Sequence, residues 1–274
     1  MNDILRDFDP ITLEEMSGIR LMNRTDTKFV TTVPVLRQLL RMAKSDYRVQ
    51  EVEGERISPY YTVYFDTPRF DMYRRHETGR AWRQKLRIRS YVSSRLNFLE
   101  VKTKNNHGRT QKKRVRIGEF NACCPDHGFS PSGGAYADFL SDNLIYRADT
   151  LRQCIENRFD RITLVNRQKT ERLTIDTSLT LNNLVSGCEL ALPDLVIIEL
   201  KRDGLAPSPI LGMLRRLRVK PMGFSKYCIG SALTNPLLPQ GQIKRRLRTI
   251  AKLAALYSDN TLTKENTDFQ DISL

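Results

Sequence analysis

Basic residues recur at every second position in Arg83-Gln84-Lys85-Leu86-Arg87-Ile88-Arg89. Lys85, Arg87 and Arg89 therefore share one face of a strand, and Leu86 and Ile88 share the other. Cationic groups at this spacing meet phosphate oxygens at short intervals, and arginine offers the two-pronged geometry that phosphates accept. The alternation returns in Glu100, Lys102 and Lys104, in Arg172, Thr174 and Asp176, and in Glu199 and Lys201 on either side of Leu200. A single strand of this kind is the wet face of an ordinary antiparallel sheet. Several, each with an acidic residue close by, point to a concave cationic surface that could take a metal ion. In a closed barrel these side chains converge on one lumen, and their repulsion must be offset by an anion or by interleaved carboxylates. Glu100, Asp176 and Glu199 are those carboxylates, too few to remove the positive potential.

A divalent cation suits such a lumen because it bridges phosphate oxygens and stabilises charge in phosphoryl transfer. Glu199, which ends the apolar run Leu195 to Ile198, is the first choice of ligand, with a structural salt bridge to Lys201 as the competing explanation. Glu100 is the second choice. No GxxxxGK[ST] loop occurs, and no Ser-His-Asp or Cys-His arrangement can be assembled. Catalysis on these residues would rest on positioning and electrostatics.

The composition agrees with an anionic partner. Lys and Arg outnumber Asp and Glu by 45 to 31 in 274 residues, a formal charge of +14. Nucleic acid, acidic lipid and polyphosphorylated small molecules all qualify. Nucleic acid is not expected, because aromatic residues do not interleave with the basic strands as a single-strand platform requires. The first residues lack a basic segment followed by an apolar core, so no secretory signal is expected. The longest apolar candidate, Leu190 to Ile198, is broken by Pro193 and Asp194 and is too short to span a bilayer. Five cysteines with no CxxC spacing fit reduced thiols in a cytoplasmic protein. His76, His107 and His127 are scattered and read as surface or turn residues.

Thr32 to Met42 has the apolar spacing of an amphipathic helix, with proline in its first turn. Strands are expected at Tyr60 to Phe65, Lys85 to Tyr91, Leu96 to Thr103 and Gln111 to Ile117. Asn105-Asn106-His107-Gly108 should form the hairpin turn between the last two. Residues 118 to 135 read as a loop, and Tyr136 to Asn143 and Thr150 to Asn157 as short helices. Further strands follow at Arg161 to Asn166, Glu171 to Thr177, Leu179 to Leu184 and Leu195 to Lys201, then a helix at Pro209 to Leu217. Beyond Pro239, Ile243, Leu247, Ile250 and Leu253 trace one helix face opposite Lys244, Arg245, Arg246, Arg248 and Lys252. The last dozen residues should fray. The division expected is a domain over 1–240 and a basic amphipathic helix and tail over 241–274.

Seven short motifs occur in order: Arg24-Thr25-Asp26-Thr27-Lys28-Phe29, Tyr64-Phe65-Asp66-Thr67, Lys85 to Arg89, Phe98-Leu99-Glu100-Val101-Lys102, Arg172 to Asp176, Ile198-Glu199-Leu200-Lys201 and Phe224-Ser225-Lys226-Tyr227. Together they resemble the vacuolar transporter chaperone (VTC) domain, the polyphosphate polymerase branch of the triphosphate tunnel metalloenzymes. The resemblance implies an α+β fold, an antiparallel β-barrel forming a tunnel with helices packed outside. It implies transfer of the γ-phosphoryl of ATP to a growing inorganic polyphosphate chain, with Mn²⁺ or Mg²⁺ as cofactor. By resemblance, Lys28, Arg87, Arg89, Lys102, Arg172 and Lys226 are the catalytic grip. Arg24, Lys85, Arg167, Lys201 and Ser225 bind phosphate, Lys113 or Arg114 supplies a further wall residue, and Glu199 places the metal. The resemblance also leaves room for a tripolyphosphatase or nucleoside triphosphatase, or for a subunit that only binds polyphosphate. The hydrolytic branches open with an ExExK strand, whereas this chain has Arg24 to Lys28, which favours synthesis. A stand-alone, bacterial version without the sensing domain of the eukaryotic proteins is the natural expectation, with a separately encoded membrane protein as a possible partner.

Overall fold

Every alternating segment finds a neighbour in one curled antiparallel sheet. The computed structural model describes residues 1–17, 24–106, 110–118, 136–204 and 206–265, without the side chains of Ser17, Arg24 and 256–265. In chain order the elements are α1 (Asn2–Leu5), β1 (Pro10–Ile11), α2 (Leu13–Ser17), β2 (Arg24–Thr32), α3 (Val33–Ala43), β3 (Tyr47–Gln50), β4 (Ser58–Asp66) and α4 (Asp71–Glu77). They continue with β5 (Arg83–Tyr91), β6 (Leu96–Lys104), β7 (Thr110–Ile117), α5 (Ala137–Asn143), β8 (Arg152–Asn166), β9 (Glu171–Asn183), β10 (Glu189–Leu192) and β11 (Leu195–Asp203). Three helices close the chain: α6 (Pro209–Arg216), α7 (Lys226–Thr234) and α8 (Lys244–Glu265).

The strands run in the order β2-β11-β9-β8-β4-β5-β6-β7, with β10 beside β9 and β3 beside β8. The short β1 lies parallel to β3, and the remaining ladders are antiparallel. This is the α+β tunnel architecture expected, with one refinement. Among the described residues no ladder joins the edge strands β2 and β7, so the sheet curls without a hydrogen-bonded seam. β7 is largely exposed and carries Lys112, Lys113, Arg114 and Arg116, and edge cations of this kind discourage further pairing.

The outward faces of the strands supply the core. Leu173, Ile175, Val196, Ile198 and Leu200 pack against Leu36, Leu39 and Leu40 of α3 and Ile210 and Leu214 of α6, the helical spacing that gives one apolar stripe. Leu86, Ile88, Leu99 and Val101 belong to a second cluster with Met72 and Tyr73 of α4 and Tyr227 and Ile229 of α7. The C-terminal segment buries Ile243, Leu247 and Ile250 in that same cluster. α7 approaches the sheet closely at Gly230, where a Cβ would lie 2.9 Å from a methyl of Leu181 and 3.0 Å from one of Ile155.

Two segments differ from expectation. Thr150 to Asn157 is a 3₁₀ turn at Ala148–Thr150 followed by the start of β8. The segment gains more as a strand, because β4 offers it a ladder from Thr62 against Asn157 to Asp66 against Arg152, and the strand form buries Cys154 and Ile155. The strands expected at 171–177 and 179–184 fuse into β9, with Ser178 at φ 53° where the register to β8 shifts. His107, Gly108, His127, Cys123, Cys124, residues 119–135 and residues 266–274 lie outside the described residues, so the expected turn, loop and frayed tail are described only in part.

Candidate functional site

Alternation places the charged faces of β2, β5, β6, β7, β8, β9 and β11 on one cavity of about 660 Å³. Register then decides which charges meet. Lys85 of β5 pairs with Lys102 of β6, and Lys102 pairs in turn with Lys112 of β7. Like charges directly opposite one another destabilise a sheet, yet here three ammonium groups stand in a row across three strands. Burial, and after it the nearby Lys28, bring the Lys85 ammonium down to about 7. Burial and then Arg87 bring Lys102 down to about 6. The site is short of negative charge, which is the condition for taking up an anion.

The next row is neutralised internally. Arg87 pairs in register with Glu100 and grips it through Nε at 2.7 Å and Nη2 at 2.5 Å, while Lys112 Nζ donates to the other carboxylate oxygen at 3.0 Å. Burial would raise the Glu100 carboxyl, but Arg87, Arg89 and Lys112 hold it at about 2. Across the cavity, Arg161 of β8 donates to both oxygens of Asp176 at 2.7 and 2.9 Å, and Lys226 of α7 completes the cluster. Lys226 Nζ also sits 4.0 Å from the Phe159 ring centroid. Burial lowers Lys226 and Asp176 raises it in part, leaving it at about 8.

Arg89 has no carboxylate of its own. Its guanidinium carbon stands 5.7 Å from the Tyr60 ring centroid, and its Nε is buried without a hydrogen-bond partner. Burial, followed by Arg87 and Arg161, lowers its pKa. Lys28 of β2 donates to the Phe224 carbonyl at 2.9 Å and faces Glu199 in the β2–β11 register. Lys201 lies between Asp26 and Arg172 in register.

α7 is set in place by one buried carboxylate. Asp66, at the end of β4, accepts the backbone N–H groups of Thr67, Met72 and Tyr73 at 2.7, 2.9 and 2.8 Å and the Tyr227 hydroxyl. This fixes the start of α4 and, through Tyr227, the neighbouring Lys226. Ser225 caps α7, accepting from the Cys228 N–H at 3.1 Å and from Lys85 Nζ at 2.9 Å.

Glu199 is held more loosely than Glu100 or Asp176. Its one ion pair among the described contacts is with Lys201 at 3.7 Å, and its side chain is 21% exposed. Burial opposes ionisation, but Lys28, Lys201 and Lys102 hold the carboxyl at about 2. No cluster of three or more Asp, Glu, His or Cys residues forms among the described residues. Hard divalent cations bind through one or two carboxylates plus substrate phosphates, so this donor set fits a cation that arrives with phosphate oxygens.

Most residues singled out in the sequence come together here: Lys28, Lys85, Arg87, Arg89, Lys102, Arg172, Glu199 and Lys201 all line the cavity. Lys226 and Ser225 support it from α7. Others are placed differently. Arg167 is exposed at the β8–β9 hairpin, pairs with Asp9 at 2.7 Å and lies outside the cavity. Arg161, earlier in β8 and not singled out in the sequence, lines the cavity instead. The signal was present in the alternation of Arg161 and Thr163 with Ile162 and Leu164. Glu100, the second candidate ligand, has both oxygens engaged by Arg87 and Lys112. Arg114 shares the inner face but stacks on Phe98 at 4.5 Å, and Lys113 pairs with Val101 on the opposite face. Arg24 opens β2 opposite Asp203, its side chain outside the described residues. His76, read as a surface or turn residue, lines the cavity, its Nδ1 buried and unpartnered.

The VTC domain profile matches residues 23–235. This chain belongs to the VTC domain family. No curated protein sequence matches this chain. Among solved structures, a Bacillus halodurans protein described as an adenylate cyclase is similar at 16% identity, with 74% of this chain and 96% of that one covered and a TM-score of 0.48. A Hippeastrum adenylyl cyclase-like protein, reported with a dominant triphosphatase activity, is also 16% identical, covering 81% and 100% at a TM-score of 0.47. A Pyrococcus horikoshii protein is 13% identical, covering 76% and 98% at 0.43.

Proposed function

We propose that this VTC domain is a polyphosphate polymerase that moves the γ-phosphoryl group of ATP onto the end of an inorganic polyphosphate chain, with triphosphate as the shortest chain it holds. The observation that carries the reading is the lysine row Lys85–Lys102–Lys112, a like-charge register that a run of phosphates would relieve. In this reading Lys85, Lys102 and Arg89 bind phosphate oxygens, with Lys28, Arg172 and Lys201 along the facing wall. Arg87, Arg161 and Lys226 are held in position by Glu100 and Asp176. The chain-end oxygen attacks the γ-phosphorus, and the bond to the β–γ bridging oxygen breaks to release ADP. The cavity contributes alignment and stabilisation of equatorial charge. Mn²⁺ or Mg²⁺ held at Glu199 would neutralise charge on the phosphate oxygens. The unit over 1–240 carries this chemistry, with the helix beyond it docked on the same core.

Incubating the protein with ATP and Mn²⁺ or Mg²⁺ should yield ADP and a ladder of polyphosphate. Free phosphate without chain growth would select hydrolysis instead, and tight binding without turnover would select a holding subunit. Among the described residues no helix is long and apolar enough to cross a membrane. Cytoplasmic location, and a separately encoded membrane partner for the product, belong to the same proposal.

A further inference from the structure

A second cavity, of about 920 Å³, lies between the end of β2, the strap that follows α6, and the first turns of α8. Four cations line it, Arg218, Lys220, Arg245 and Arg246, and no carboxylate is among its described lining residues. All four are exposed, and α8 and the strap present them from two sides. Uncompensated positive charge converging from separate elements marks a place for an anion.

This groove adjoins the tunnel cavity. β2 directs Asp26 and Lys28 into the tunnel, and the next residue on the same face, Val30, lines the groove. The strap segment Met222-Gly223-Phe224 separates the two. On its tunnel side Lys28 Nζ donates to the Phe224 carbonyl at 2.9 Å. On its groove side the Arg246 guanidinium comes within 3.8 Å of where a Cβ on Gly223 would lie. Arg246 is also among the cations, with Lys85, Arg83 and Lys28, that keep the tunnel-lining His76 from protonating after burial has lowered its pKa. Cationic lining therefore continues past the strap.

Resting on the polyphosphate reading above, we infer that this groove holds the part of a polyphosphate chain that extends beyond the tunnel cavity. The occupant follows from charge complementarity and from continuity with the tunnel. A short chain fits the tunnel alone, whereas a long one must leave it, and the groove is an adjacent surface lined by cations without counter-charges.

The test compares tripolyphosphate with long-chain polyphosphate on the full chain. A variant combining Arg218→Gln, Lys220→Gln and Arg245→Gln leaves every tunnel residue intact. A control removes equal charge elsewhere on the surface, at Arg37→Gln, Arg41→Gln and Arg215→Gln. The groove variant should bind long chains about tenfold more weakly, with a salt slope lower by about 2. Its tripolyphosphate affinity should stay unchanged, and the control should do neither. Equal loss for both ligands, or equal loss in the control, overturns the inference. So does a groove variant that keeps long-chain affinity and instead loses binding to phosphatidylserine vesicles, which would make this a membrane face. If wild type binds tripolyphosphate but long chains no more tightly, the inference fails and the tunnel reading stands. If wild type binds neither, both fail.

Discussion

Two kinds of carboxylate share the tunnel. Glu100 and Asp176 are each held by two cations at hydrogen-bond distance, whereas Glu199 keeps one ion pair at 3.7 Å. All three are ionised, Glu100 and Glu199 near 2 and Asp176 well below the usual carboxylate range, its burial outweighed by Arg161 and Lys226. The difference is one of role. A carboxylate with every oxygen engaged fixes the direction of its arginine, while one with oxygens to spare can meet a cation. The clamped carboxylates are thus set apart from the loose one, and the cations left over, Lys85, Lys102 and Arg89, face the cavity.

The largest effect should come from breaking a locked cluster. Asp176→Asn leaves Arg161 and Lys226 buried without their counter-charge, and should cost about 3–5 kcal/mol of stability. Tripolyphosphate should raise the melting temperature of this variant more than that of wild type, because the anion supplies the missing charge. A variant that melts like wild type would erase the distinction between the two kinds of carboxylate.

Glu199→Gln should act in the opposite way. Stability should fall by less than in Asp176→Asn, while phosphoryl transfer at saturating Mn²⁺ or Mg²⁺ should fall about 10²-fold or more. An undiminished polyphosphate ladder from this variant would exclude Glu199 as the metal position.

The smallest effect concerns pH. Lys85 titrates near 7 in the fold, because burial and then Lys28 disfavour its charge, against about 10.4 in an unfolded chain. Between these values the unfolded state binds the extra proton, so stability rises with pH over that window. Unliganded protein should melt at a higher temperature at pH 9 than at pH 7 after the other titrations are matched. Lys85→Met should flatten the slope, and tripolyphosphate should flatten it in wild type. A slope unaltered by Lys85→Met would assign the effect to other groups.

Much of the inner wall was legible in the chain, because strand alternation is a local property. Lys85, Arg87 and Arg89 had to share a face, and so did Glu199 and Lys201. The order of seven motifs carried the family. What alternation could not supply was register. Nothing local says that Lys85 meets Lys102 and Lys112, while Arg87 meets Glu100. The helix expected at Thr150 to Asn157 failed for the same reason, since its strand form depends on β4, distant in the chain. Arg161 alternates with Ile162 and Leu164 and could have been read as a wall residue, whereas the place of Arg167 outside the cavity follows from the β8–β9 hairpin.

The sequence by itself determined the charged faces, the apolar faces behind them and the excess of positive charge, since these follow from side-chain period and composition. Tertiary structure decided which carboxylates are spent on arginines, which one stays loose, and that α7 reaches in with Lys226 on an anchor set by Asp66. It also placed α8 beside a basic groove next to the tunnel. Those outcomes depend on pairings between residues far apart in the chain, and a strand's period carries no record of its partner.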